Sequence, residues 1–468
     1  MRESRTQVDW AEIYRVRRNS IRQAVDGGVI LWLGHSLQPR NYKDNTYPFR
    51  QNSHFLYYAG ISAPDLTLLT YPERDYDVLF SKPSSLDEII WSGETHGRVD
   101  IAREAGVEMV EDIARLGSYL AKAKSQGLKI HYMPAYQAST ILRLAELLGL
   151  TPAEIVAGKS ERLMEAVAKQ RSIKSEVEID EIEEALGITA QMHLTAMRIA
   201  RPGLHEFDIA GAMQGEALKY DRQQAYHPIV TIHGEVLHNH SAENLLEDGQ
   251  LLLIDAGAES RRFYASDITR TFPVSGRFQP AQAEIYGIVL RAELGAIEIL
   301  KAGMEYRDVH RHAARIIVEG LSAMGLMKGS PDDAVSAGAH ALFFPHGIGH
   351  MLGLDVHDME DLGDIVGYPK GEARSSQFGL NYLRLNRRLD SGFILTIEPG
   401  IYFIPALIDR WRQERLHREF INYDKLEPFR NFGGIRTEDN ILVAEGGFRV
   451  LGPGIPKTID EVESIMAR

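Results

Sequence analysis

Residues 251–274 read LLLIDAGAESRRFYASDITRTFPV. Four apolar residues run into an acid, Asp255, and a second acid, Asp267, sits on a segment rich in aromatic, β-branched and threonine side chains. This pattern predicts two strands joined by a short turn. With both acids facing the same way, two carboxylates converge at one end of a hairpin, where they repel unless cations lie between them. The hairpin therefore predicts a metal site that draws further ligands from elsewhere in the chain.

Composition limits what those ligands can be. The 468 residues suffice for two or three domains with cores of their own, and 44% hydrophobic with 25% charged residues is ordinary globular composition. With 52 basic against 65 acidic residues the net charge is -13, which argues against nucleic acid as a partner and mildly favours metal ions or the cationic ends of small peptides. The chain has no cysteine, so any metal is held by carboxylates and imidazoles. The opening MRESRTQVDWAEIYRVRR lacks an apolar core, and runs such as VILWL at 29–33 are far short of a bilayer span. A soluble, cytoplasmic protein with no membrane partner is expected.

Residues 1–172 read as an amino-terminal α/β domain, with an opening helix over Trp10–Ala24 and a buried strand over Val29–Leu33. YPFRQNSHFLYYAG, 47–60, dense in aromatics and closed by glycine, predicts a core strand and a turn. EIIWSGETHG, 88–97, puts Trp91 in a polar, loop-like setting, either as a packing anchor or as a residue presented to another surface. From Val167 the pattern predicts one long charged amphipathic helix ending at Pro202-Gly203, with 176–184 as its solvated face. The domain boundary is placed near 173, and residues 173–468 form the second domain. A helix (Glu206–Lys219), a strand (Pro228–Ile232), the histidines of VLHNHSAEN, the hairpin, and helices at 280–301 and 306–325 follow. Acid-bearing strand regions near 255 and 398–438 suit a domain of two related halves.

Three stretches supply candidate partners for the two aspartates. FFPHGIGHMLGLDVHD, 343–358, carries three histidines, and Gly347 and Gly349 argue against a helix. In an extended segment 346, 348 and 350 share a face, so two imidazoles point together while the glycines permit close backbone approach. FILTIEPGIYF, 393–403, delivers Glu398 from an apolar strand, where a glutamate is costly unless paired or bound to a cation. FGGIRTEDNILV, 432–443, sets Arg436 and Glu438 two apart and so on one side of a strand. Two Asp, one His and two Glu form a mostly oxygen ligand set that suits manganese or a similar divalent ion, and four carboxylates suit two ions.

The order Asp255, Asp267, His350, Glu398, Glu438, within the phrases DAG, SDITRTFPVSG, PHGIGH, DVHD, TIEPGIYF and GGIRTED, resembles the proline-specific pita-bread metallopeptidases, prolidase and aminopeptidase P. FRQNSHFLYYAG and WSG echo their amino-terminal domain, so the resemblance covers nearly the whole chain. It implies a mixed α/β (α+β) protein, a creatinase-like amino-terminal α/β domain followed by a pita-bread catalytic domain. It further implies that Asp255 chelates one ion, that His350 and Glu398 serve the other, and that Asp267 and Glu438 bridge them. Manganese is the foremost candidate, with cobalt, iron or zinc as alternatives. An activated water between the ions is the implied nucleophile, and Glu398 the implied proton shuttle to the leaving proline nitrogen. His238, which lies 17 residues before Asp255, and His357 are implied to stabilise the oxyanion. His346 would line the proline pocket and Arg436 steady the ligand shell or the substrate. Arg384, in YLRLNRRLD, falls where prolidases place the arginine that recognises a free carboxylate after proline. Trp91 resembles a tryptophan that family members project into a neighbouring subunit's active site, and a homodimer or homotetramer is implied.

The chain also departs from the family pattern. The step from Asp255 to Asp267 is one residue longer than usual, with the extra residue near Arg261 and Arg262. In the turn it leaves the acids converging, whereas in a strand it would flip one of them; the SDITRTF match predicts the turn. His240 is read as structural, and MEDLGDIVG, 359–367, as an insertion that forms a lid or an edge contact. The long segment between Glu398 and Glu438, with YPKGEARSSQFGLNYLRLNRRLDSG before it, resembles prolidase more than aminopeptidase P. The expected function is a dinuclear metallo-exopeptidase acting on small peptides with proline in second position: an Xaa-Pro dipeptidase first, and an Xaa-Pro aminopeptidase for longer peptides second. A non-catalytic binding module on the same scaffold would lose ligands, whereas all five are kept here.

Overall fold

The strand VILWL, Val29–Leu33, pairs antiparallel with Thr67–Thr70 and parallel with Ile130–Tyr132. Asp77–Ser81 and Met109–Asp112 continue beyond Thr67–Thr70, completing a five-stranded mixed sheet. An apolar run without alternation is what a strand covered on both faces requires, and all five of its residues are buried. This sheet and its helices make up the first of two units, Met1–Arg171; the second is Ser172–Arg468. The computed structural model describes residues 8–93 and 97–467. The opening MRESRTQ and residues 94–96 of the Trp91 stretch therefore lie outside the described residues. No helix among the described residues is long and apolar enough to cross a membrane.

Two expectations for the first unit need correction. Ser53–Ala59 is a helix rather than a strand, capped by the Asn52 side chain and closed by Gly60 at φ 72°. Every residue of it is buried, so no 3.6-residue period is written in the sequence, and its aromatics imitate a strand. Trp91 stands on the helix Leu86–Ser92, not in a loop, and at 86% exposure it is not a packing anchor within its unit.

The expected long helix is two helices, Glu161–Ser172 and Glu176–Ile199. The break is imposed from a distance: Lys174 donates its N–H to Gly392 O and its buried ammonium to Asp358, each at 2.9 Å. Glu178 then reaches back to the Ser175 N–H and starts the second helix. Periodicity runs straight through this point, and tertiary contacts override it.

The second unit repeats one arrangement. Helices Glu176–Ile199 and Glu206–Leu218 pack side by side and accompany the antiparallel strands Ile229–Thr231, Leu251–Ala256 and Ile268–Pro273. Helices Pro280–Glu298 and Tyr306–Ala323 likewise accompany Ile394–Ile397, Asp439–Ala444 and Gly447–Val450. The halves meet along a polar seam, where Glu438 N–H donates to Thr269 O at 3.1 Å and Thr271 Oγ1 to Arg436 O at 2.9 Å.

Candidate active site

The hairpin turns both acids to one face. Asp255 lies opposite Thr269 in the ladder, and Asp267 precedes Thr269 by two residues, so the strand period points all three the same way. The extra residue is absorbed in the turn: Ser260 N–H donates to Tyr264 O, Phe263 takes φ 68°, and pairing is in register from Ile268. Gly257 of DAG has to be glycine, because a Cβ there would lie 1.7 Å from Ser266 O.

The second half brings the remaining ligands to this face. Thr269 Oγ1 donates to Glu438 Oε2 at 2.6 Å, and Asn440 brackets Asp267, accepting from its N–H at 3.0 Å and donating to its carbonyl at 2.5 Å. His350 Nδ1 faces Met351 O at 3.0 Å and so carries a hydrogen, which leaves Nε2 as the ligating nitrogen. That Nε2 lies 3.3 Å from Asp267 Oδ2 and 3.6 Å from Glu398 Oε1. Gly349 permits this approach, since a Cβ would meet Thr396 O at 2.1 Å and Tyr306 Oη at 2.4 Å. Donor atoms of Asp267, His350 and Glu438 all fall within 4.8 Å of one another, a group able to hold a metal ion.

Asp255 and Glu398 flank this trio, so the structure brings all five predicted ligands together. Tyr226 Oη lies 2.6 Å from Asp255 Oδ1 and 2.5 Å from Asp267 Oδ1. Arg436 is buried and donates from Nη2 to Asp255 at 2.7 Å, from Nη1 to Tyr402 Oη at 3.0 Å and from Nε to Thr269 Oγ1 at 3.2 Å. Its three contacts are with the ligand shell.

The electrostatics show what this cluster needs. Burial, and then the neighbouring Asp255, raise Asp267. Burial lifts Glu398 to about 7, and burial with Asp267 and Glu398 holds Glu438 well above the usual carboxylate range. For His350 burial opposes the charge, but Asp267 and Glu398 outweigh it and raise the imidazole to about 9. Glu438 Oε1 is buried with no hydrogen-bond partner among the described residues. One phenolic proton on Tyr226 cannot serve two ionised carboxylates. Each observation is a deficit of positive charge, and a divalent cation among these oxygens and the His350 nitrogen would meet all of them. The donor set fits a metal centre.

A cavity of about 990 Å³ opens over the cluster, and His238, His346, His357 and Arg384 line it. Burial first, then neighbouring charges, depress His357 to about 2 and His346 to about 3, and lower His238. The His346 and His357 rings are therefore neutral, and offer hydrogen bonds and shape rather than charge. The His357 ring lies edge-on, 4.4 Å from that of His350. His346 Nδ1 faces Gly347 O at 2.7 Å, so its Nε2 accepts from Tyr402 Oη at 2.8 Å. His240, read as structural, also lines the cavity, its ring 5.1 Å from that of His227.

Sequence reasoning missed Tyr226, Thr269, Tyr402 and Asn440. Thr269 and Asn440 could have been found, because each is two residues from a ligand and so shares its face. Tyr226 and Tyr402 carry no comparable local signal.

Comparison with known proteins agrees with this geometry. Residues 180–445 match metallopeptidase family M24, and residues 14–131 match the aminopeptidase P N-terminal domain. The chain is 33% identical over 454 residues to a probable Xaa-Pro aminopeptidase of Emericella nidulans, covering 94% of this chain and 93% of that one. A probable Xaa-Pro aminopeptidase of Aspergillus niger is 34% identical, over 90% of this chain and 89% of its own. Among solved structures, Pseudomonas aeruginosa aminopeptidase PepP superposes with a TM-score of 0.81 at 28% identity, over 98% of both chains. An Escherichia coli aminopeptidase P variant in complex with substrate gives the same TM-score, 0.81, and identity, 28%, over 98% of this chain and 99% of that one. An amino-terminal domain of aminopeptidase P type, a catalytic domain of pita-bread form and a convergent metal-binding cluster make this chain a metallo-exopeptidase belonging to metallopeptidase family M24.

Proposed function

We propose that the chain is an Xaa-Pro aminopeptidase, which removes the residue before proline from peptides that continue past it and works with two divalent ions, manganese first among them. One observation carries the reading: Asp255, Asp267, His350, Glu398 and Glu438 converge at the floor of a cavity of about 990 Å³, ample for more than a dipeptide. The names of the relatives favour this over the dipeptidase expected first.

Bound ions would supply an acidified water at neutral pH and charge to polarise the scissile carbonyl. Asp255, Asp267, His350, Glu398 and Glu438 would hold them, with Asp267 set in place by Asn440 and Glu438 by Thr269. Glu398 accepts the proton lost on attack and returns it to the proline nitrogen as the C–N bond breaks. His238 and His357, the latter kept neutral by burial, donate hydrogen bonds to the developing oxyanion. His346, fixed by Tyr402, borders the space for the proline ring. The exposed Trp91 would reach the cavity of a neighbouring copy in a homodimer or homotetramer.

The test is metal content measured together with hydrolysis of Gly-Pro-Pro and Gly-Pro. Two ions per chain and faster cleavage of the tripeptide are expected. Faster cleavage of Gly-Pro would restore the dipeptidase reading, and a single ion would remove the dinuclear one.

A further inference from the structure

The insertion 359–367 is a built part of the cavity wall, and it places a carboxylate on Arg384, the arginine expected to meet a substrate's carboxyl end. Met359 is fully buried and held at φ 63°, a conformation unfavourable for a side chain with a Cβ and kept only where surroundings fix it. Gly367 lies so close to the backbone of Arg384 that a Cβ would sit 2.0 Å from Arg384 O. Asn386 N–H donates to Gly367 O at 2.6 Å, and Tyr368 Oη to Leu383 O at 2.7 Å. Arg374 ties Asp364 at 2.7 Å to Leu383 O at 2.9 Å. The insertion and residues 383–386 therefore form one packed wall.

On that wall Arg384 Nη1 donates to both oxygens of Glu360, at 2.7 and 2.5 Å. Glu360 Oε2 also stands 3.5 Å from His357 Nδ1, so the pair lies beside the group placed at the reacting carbonyl. Arg384 and Glu360 are 35% and 38% exposed, and both line the cavity. A carboxylate arriving after proline meets a guanidinium whose charge is balanced and whose fork has one arm taken, with an anion alongside. A peptide that continues past proline presents a neutral amide at this point and meets no such repulsion.

Building on the aminopeptidase reading, we infer that Glu360 is a specificity-determining residue: by occupying Arg384 it disfavours the free carboxylate of a dipeptide and admits chains that extend beyond proline. The arginine expected to select dipeptides is thereby turned into part of a neutral wall.

The experiment compares Gly-Pro with its amide, Gly-Pro-NH2, on the metal-loaded wild type, on Glu360→Gln and on Glu360→Gln/Arg384→Gln. Acid and amide are compared on one protein, so any loss of folded enzyme or any effect through His357 cancels from the ratio. Glu360→Gln should raise the acid-to-amide ratio of kcat/KM about tenfold, the size expected for removing one anion beside an incoming carboxylate. The added Arg384→Gln should return the ratio to the wild-type value. A change below twofold in the single variant, or a rise that survives loss of Arg384, overturns the inference. Wild-type preference for Gly-Pro over Gly-Pro-Pro would instead overturn the aminopeptidase reading, whatever Glu360 does. If wild type cleaves neither peptide that reading also fails, and calorimetric affinities for acid and amide then give the same ratio.

Discussion

Replacing Tyr226 with phenylalanine removes one oxygen and keeps the ring, at the point where the buried Asp267 and the partly buried Asp255 share a single phenol. Its Oη stands 2.6 Å from Asp255 and 2.5 Å from Asp267, and burial followed by those two acids raises the phenol well above its ordinary value, so it is a permanent donor. A hydrogen bond to a charged group contributes about 1.5–3 kcal/mol. Part of this is held in any state that keeps the acids buried, so the differential effect on cation binding is about 2 kcal/mol, or about 30-fold. Loss of an outer-shell partner weakens metal binding by about 10- to 100-fold, the same range. Calorimetric titration of the metal-stripped protein with manganese is the direct assay, and Tyr226→Phe should bind more weakly by that factor, while the part of the hydrogen-bond energy already held without metal shows as a lower metal-free unfolding midpoint. Manganese affinity within twofold of wild type would refute the claim that this phenol sets the orientation and charge of the two aspartates.

Glu398→Gln keeps the shape of the side chain but cannot accept a proton, so kcat on Gly-Pro-Pro should fall by about 10²- to 10⁴-fold with a smaller change in KM. Gly349→Ala puts a methyl group 2.1 Å from Thr396 O and should destabilise the fold by about 1–3 kcal/mol, with loss of bound metal, whereas Gly347→Ala meets nothing nearer than 3.3 Å and should be milder; urea midpoints and metal content check both. His340 is buried, its ring nitrogens have no partner among the described residues, and burial lowers it to about 4. Above pH 6.5 neither folded nor unfolded chain protonates it; below that the unfolded chain takes up the proton first, so stability falls as pH drops from 6.5 to 4, by about 3 kcal/mol in all. His340→Leu should lose that part of the slope in urea titrations between pH 7 and 5, and an unchanged slope would show that His340 is not held neutral.

The catalytic hairpin was legible because strand alternation is a local property: four apolar residues before Asp255 and the SDITRTF phrase after the turn fix both acids on one face. Glu398 was legible for a different reason, as a charge at the end of an apolar strand that has to be answered by something. What escaped was decided at a distance. The helix Ser53–Ala59 is buried on all sides and shows no period, and the break at 173–175 depends on Gly392 and Asp358. Tyr226 reaches its acids 29 and 41 residues later in the chain, and Glu360 finds Arg384 at a separation of 24. No window of sequence records those meetings.

The seam between the halves has a mechanical consequence. Asp255 and Asp267 belong to one set of strands, Glu398 and Glu438 come from the other, and Thr269 and Asn440 stitch across. Neither half owns a complete ligand set, so a cation seated here acts as a fastener and favours only arrangements in which both halves are shut together. Resistance to unfolding and competence for chemistry then rise and fall on one variable, the occupancy of the seam, and the supply of divalent cation would govern how long the catalytic unit survives as well as how fast it works.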